Sequence, residues 1–190
     1  MKNVLITLGV VVGAIIVLAM IAVSIRNGLI DKDEQVKAAW SQIDTQLQRR
    51  ADLIPNLVNT VKGYAKHEEN IFREVSEARS KLVSAQGPVQ KAEAGAVLEQ
   101  SIGRLLAIAE KYPDLKANTN FIRLQDELAG TENRISVARM RYNDTVKMFN
   151  ASIRKFPGSL FVGGLGLKPA EYFQPPAGSK AVAEVPEVSF

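Results

Sequence analysis

From Val4 to Ile25 the chain reads VLITLGVVVGAIIVLAMIAVSI, a run without one charged side chain. Wound as an α-helix at 1.5 Å per residue, the run covers about 33 Å, the thickness of a bilayer's hydrocarbon core. Lys2 and Arg26 bracket it where lipid headgroups would lie. Ala22-Val23-Ser24 offers small residues of the kind found at leader cleavage sites. The apolar part of a cleavable leader is only about 7 to 15 residues long, however, so the run is expected to persist as a single-pass anchor over residues 1–27. Lys2 alone precedes it, whereas Arg26, Lys32 and Lys37 follow closely. Counting basic residues puts the body on the cytoplasmic side of the cell membrane.

Beyond the anchor the apolar positions Val36, Trp40, Ile43, Leu47, Ala51, Ile54, Val58, Val61 and Ala65 are separated by threes and fours, which is one stripe of a helix. The stripe passes Pro55 without changing phase and resumes through Ile71, Val75, Ala78 and Leu82 until Gly87-Pro88. A proline inside a helix lacks a donor and costs roughly 3 kcal/mol. Either Asp52 caps a helix whose first turn holds Pro55, or a long rod is kinked there with its stripe kept on one side. A second helix is expected from Val89 to Lys111, with Val97, Ile102, Leu105, Ile108 and Ala109 inside. The third carries a sustained heptad: Phe121, Leu124, Leu128, Thr131, Ile135, Ala138, Tyr142, Thr145 and Phe149, with Ile153 and Phe156 extending it to Pro157. Short connections then make the helices of region 28–157 antiparallel neighbours in an all-α bundle.

The tail, 158–190, is rich in proline and glycine and is not expected to be helical. Leu160, Phe161, Leu165, Leu167, Tyr172 and Phe173 could pack on the bundle, while residues after Pro175 have the composition of a flexible end. The terminal Val188-Ser189-Phe190 could enter a groove as an added strand, though a frayed end is the simpler reading.

Chemistry is sparse. Without cysteine there is no disulfide, thiolate ligand or lipid-modified cysteine. His67 is the only histidine, which excludes two-histidine zinc and paired di-iron motifs within one chain and leaves a surface helix residue. No phosphate-loop, nucleophile-elbow or dinucleotide pattern occurs; Gly163-Gly164-Leu165-Gly166 follows no strand. No cofactor, metal site, catalytic residue or small-molecule substrate is expected. With 24 basic and 20 acidic residues in mixture, nucleic-acid binding is not indicated either. One polar constellation stands out. Glu132, Arg139, Asn143 and Asn150 follow one another by 7, 4 and 7, on one helix face beside the apolar seam. They could pair with Asp44, Arg50 or Asn56 of the first rod and fix register, or form a polar pocket or subunit contact.

These stretches carry a resemblance. Residues 38–68 (AAWSQIDTQLQRRADLIPNLVNTVKGYAKHE), residues 109–150 with YPDLKAN, F-x-x-L-Q and TEN-R, and Phe156-Pro157 followed by a glycine-containing apolar segment ending in Tyr172-Phe173 together resemble the LemA family. That resemblance implies one N-terminal membrane helix, an antiparallel bundle of long helices, a short exterior amino terminus and a cytoplasmic body. It brings no enzymatic activity or catalytic residue. A non-enzymatic scaffold is therefore expected, held in a lipid bilayer and forming homo-oligomers or recruiting a membrane-associated protein partner. A membrane-surface remodelling or stress-response module is the alternative, and a hydrolase built on the polar group is the remaining one.

Overall fold

A computed structural model describes residues 2–174 of the chain. The expected flexible end after Pro175 and the terminal Val188-Ser189-Phe190 lie outside the described residues. Helix α1 is Lys2–Lys62, α2 Glu69–Ser84, α3 Gly87–Ala109, α4 Pro113–Lys116, α5 Thr119–Arg154 and α6 Val162–Leu165, with a 3-10 turn at Gly158–Leu160. No strand occurs among the described residues. Two compact units are present: the residues up to Ala39 with Asp144–Ala170, and Trp40–Asn143 with the residues from Glu171.

The second of these units is a four-helix bundle that alternates in direction. Lys62 lies over the Phe72 ring at 5.7 Å and Ala51 is bonded by Arg79, so α2 runs back along α1. Lys91 reaches Asp44 at 2.9 Å, and Gly95 lies against Leu47, which sets α3 parallel to α1. Arg49 meets Glu127 and Trp40 meets Tyr142, so α5 returns. Ile43, Leu47, Ala51, Ile54, Leu57 and Val61 of α1 are buried, as are Val75 and Leu82 of α2, Leu98 and Leu105 of α3, and Phe121, Leu128 and Ile135 of α5. Fully burying a valine, leucine, isoleucine or phenylalanine side chain is worth roughly 1.5–3 kcal/mol.

Local chemistry sets the ends. Gly87 has φ 71°, a value open to glycine, and it lets α2 turn into α3 across Ala85 and Gln86. In YPDLKAN, Pro113 opens α4, Leu115 is fully buried, and the Asn118 carboxamide oxygen accepts from the backbone N–H groups of Asn120 and Phe121 at 2.9 and 3.1 Å. Asn118 thus caps α5.

Of the two readings of Pro55 the long rod holds: Pro55 lies inside α1 and no helix begins there. Other expectations need correction. Asp52 is no cap: it sits within α1 and accepts from Gln48 at 2.9 Å. The reversal comes instead at 63–68, where Gly63 and Tyr64 form a turn closed by bonds to the Val61 carbonyl. Val61, Ala65 and Ile71 keep an apolar rhythm across that turn, so periodicity alone does not register it. His67 is exposed there, in the turn rather than on a helix. On α3, Val97 faces solvent while Leu98 takes the core position.

In the other unit the side chains of α1 between Ile6 and Val23 are largely uncovered, and this part of α1 is long and apolar enough to cross a membrane. Leu29 and Val36 are buried, as are Val146, Phe149 and Ile153 of α5. Phe156 does not extend the α5 stripe, because the helix ends at Arg154 and the ring is exposed. Part of the tail is helical after all, in the 3-10 turn and α6.

Candidate interaction site

Pro55 has no N–H to give to the carbonyl four residues earlier, Ala51. Ala51 is fully buried, where an unpartnered acceptor would be costly. Arg79 of α2 supplies the missing donor: its Nε–H bonds the Ala51 carbonyl oxygen at 2.8 Å, with Nη2 3.9 Å from Asp52. The proline of one helix is thereby answered by an arginine of the next, and α1 continues with its buried face intact.

The four residues of the polar stripe go to different places. Glu132 pairs with the buried guanidinium of Arg50 on α1. Arg139 is half-buried and makes no hydrogen bond or ion pair with the described residues. Asn143 and Asn150 turn to the chain after α6. Within one unit the Asn143 Nδ2 donates to the Phe173 carbonyl at 3.1 Å while the Phe173 N–H donates to Asn143 Oδ1 at 3.0 Å. Within the other, Asn150 Nδ2 donates to the Ala170 carbonyl at 2.9 Å and the Ala170 N–H returns to Asn150 Oδ1 at 2.8 Å. A carboxamide matches a backbone amide in shape and polarity, so each asparagine acts as a one-residue strand partner. Ala170 and Phe173 lie in the strap that follows α6.

An aromatic cluster closes over the strap at Phe173. Trp40 lies 5.7 Å from the Tyr142 ring and 6.0 Å from the Phe173 ring, and the Tyr142 hydroxyl donates to the Glu171 carbonyl at 2.7 Å. Burial, and then the Glu171 carboxylate, push the Tyr142 phenol up to about 12. On the exposed side of α1, the Lys37 ammonium donates to the Asp33 carboxylate and then to that of Glu34, and these bonds hold it above its ordinary value. Of the partners expected on the first rod, Arg50 takes Glu132, whereas Asp44 is engaged by Lys91.

Little here is poised for bond-making. The Glu132 charge is met by Arg50, and both asparagine carboxamides are bonded at oxygen and nitrogen. A nearby groove lined by Gln42, Gln46, Asn133, Arg134, Val137 and Arg141 adds no carboxylate. No group of three metal-binding side chains occurs among the described residues. The packing of Phe173 agrees with the sequence; the residues missed from sequence are Arg79 and Trp40 as the strap's cover, together with the pairing of the strap's backbone to Asn143 and Asn150. The one available signal was the orphaned carbonyl that Pro55 implies.

A sequence model of the LemA family matches residues 39–190. The chain belongs to that family. The match begins after the apolar run. Magnetosome proteins MamQ 1 and MamQ 2 of Paramagnetospirillum magneticum are each 28% identical to this chain, covering 90% of it and 74% of their own length. Magnetosome protein MamQ of Magnetospirillum gryphiswaldense is 27% identical, covering 82% of this chain and 67% of its own. Protein LemA of Metamycoplasma hominis is 27% identical over 69% of this chain and 60% of its own. These likenesses and the uncovered apolar part of α1 are those of a membrane-associated helical protein.

Proposed function

We propose that the protein is a non-enzymatic scaffold tethered to the cell membrane by a single pass of α1, with its body on the cytoplasmic side, and that it self-associates or recruits a partner through the bundle. The observation that carries this reading is that one helix, Lys2–Lys62, contains both the uncovered apolar run and the buried stripe from Ile43 to Val61. Orientation follows the basic residues Arg26, Lys32 and Lys37 after the run. Surface for contacts is present: Val89 and Val97 on α3, and Val137 and Met140 on α5, are exposed. Tethering raises the effective concentration of copies, so weak side-to-side contacts suffice for assembly.

Gentle detergent extraction of the full-length protein followed by mass measurement tests this. Particles holding several copies, or one copy with a reproducible second protein, are expected. A strictly monomeric 20.7 kDa chain that carries nothing contradicts it.

A further inference from the structure

In the unit that contains the apolar run, the segment leaving α5 presents large apolar side chains to its surroundings. Phe156 is 80% exposed and Leu160 70%, beside half-covered Phe161, Val162 and Leu165. Leu160 therefore does not pack on the bundle as the sequence led one to expect. A cluster of this kind marks a contact surface.

Its place in the fold identifies what it contacts. Gly158 is buried against the Ser152 carbonyl, and a Cβ added there would lie 3.5 Å from Leu29 Cδ2. Leu29 is one helical turn, about 6 Å, past Ile25, where the apolar run ends. Ile25 is itself partly covered, whereas Ile15, Ile16 and Ile21 remain 50–59% exposed. The segment is thus fixed at the level where α1 leaves the hydrocarbon.

Two independent features suit it to that level. Residues 145–170 carry Lys147, Arg154, Lys155 and Lys168 and no acidic side chain, the charge that faces anionic headgroups. Part of the backbone is also satisfied internally. The N–H groups of Ser159, Leu160 and Phe161 bond the carbonyls of Lys155, Pro157 and Gly158, and those of Leu165, Gly166 and Leu167 bond Phe161, Gly163 and Val162. These bonds lower the cost of bringing the segment to the headgroup boundary, where water still reaches the remaining N–H groups.

We propose that residues 156–165 are a second membrane contact. Phe156 and Leu160 enter the headgroup and upper acyl region beside the exit of α1, and Arg154, Lys155 and Lys168 lie on anionic headgroups. This rests on the reading of α1 as a spanning anchor, and the test separates the two.

The cysteine-free chain permits single-label variants of the full-length protein: Leu160→Cys and Phe156→Cys, with Ile15→Cys in the run and Val97→Cys on α3 as references. Each carries an environment-sensitive fluorophore in vesicles of phosphatidylcholine and phosphatidylglycerol, with acyl-chain bromolipid or aqueous iodide as quencher. Labels at 156 and 160 are expected to shift to the blue, lose emission to bromolipid and resist iodide, like the label at 15 and unlike that at 97. If the label at 15 responds to bromolipid while those at 156 and 160 respond to iodide, the second contact is wrong and the anchor stands. If the label at 15 responds to iodide, the anchor fails and takes the contact with it. Protection from both quenchers at 156 and 160 means a protein cover, a second copy or another chain, and likewise overturns the proposal. Because both side chains are exposed, unchanged far-ultraviolet circular dichroism is required of every labelled variant.

Discussion

Replacing Arg79 with methionine strands the Ala51 carbonyl, and the size of the loss depends on Pro55. The proline removes the intrahelical donor, and the 2.8 Å bond from Arg79 Nε replaces it. Methionine keeps an aliphatic stem but no donor. An unsatisfied buried acceptor costs about 1–3 kcal/mol. The Arg79 side chain is 36% exposed, so water admitted beside the shorter side chain recovers part of this, leaving about 1–2 kcal/mol. The 3.9 Å pair with Asp52, being exposed, adds little. In a Pro55→Ala background residue 55 regains its N–H and bonds Ala51 within α1. Arg79→Met then costs less than about 0.5 kcal/mol, the range of an ordinary surface change. The double-mutant cycle is therefore predicted to return a coupling of about 1 kcal/mol or more, read from guanidinium unfolding of the full chain in detergent micelles by far-ultraviolet circular dichroism. An equal loss in both backgrounds would refute the reasoning, since the carbonyl would not be what the arginine serves.

Three further predictions concern the strap and its surroundings. Asn143→Ala removes two reciprocal bonds to Phe173 and is expected to cost about 1–3 kcal/mol locally; proteolysis within 166–174 should accelerate while helix content holds, and an unchanged cleavage rate would count against the clamp. Tyr142 is held at about 12 against about 10 when unfolded; a raised folded value means that the neutral phenol's contribution is complete below pH about 10 and is lost as pH climbs toward 12. The unfolding midpoint should accordingly fall more steeply over that interval in the parent than in Tyr142→Phe, and parallel curves would sink the assignment. Gly158→Ala drives a methyl group into the Ser152 carbonyl, a backbone contact that cannot rotate away, so thermal unfolding should show a loss of about 1–3 kcal/mol; wild-type stability would mean that the turn after α5 is looser than described.

How much of this was legible in the letters differs from element to element. The heptad from Phe121 to Tyr142 is a spacing rule, and Phe121, Leu128, Thr131, Ile135 and Tyr142 are buried as it requires. The turn at 63–68 was hidden because Val61, Ala65 and Ile71 continue the apolar rhythm; only Gly63 spoke for a break. Asn143 and Asn150 declared themselves by spacing, but their destination did not, since an extended strap has no period of its own and its bonds are to backbone. Arg79 was unreadable for a related reason: Pro55 states that a carbonyl needs a donor, but not which helix brings it. The exposure of Phe156 and Leu160 follows from where α5 ends and not from their hydrophobicity.

The central claim is that the chain stays moored by residues 1–27, and membrane fractionation of the full-length protein tests it most directly. The account predicts a chain of about 20.7 kDa that remains with the membranes through alkaline carbonate washing and is released by detergent. A shortened chain lacking the Val4–Ile25 run, recovered in the carbonate supernatant, would contradict it.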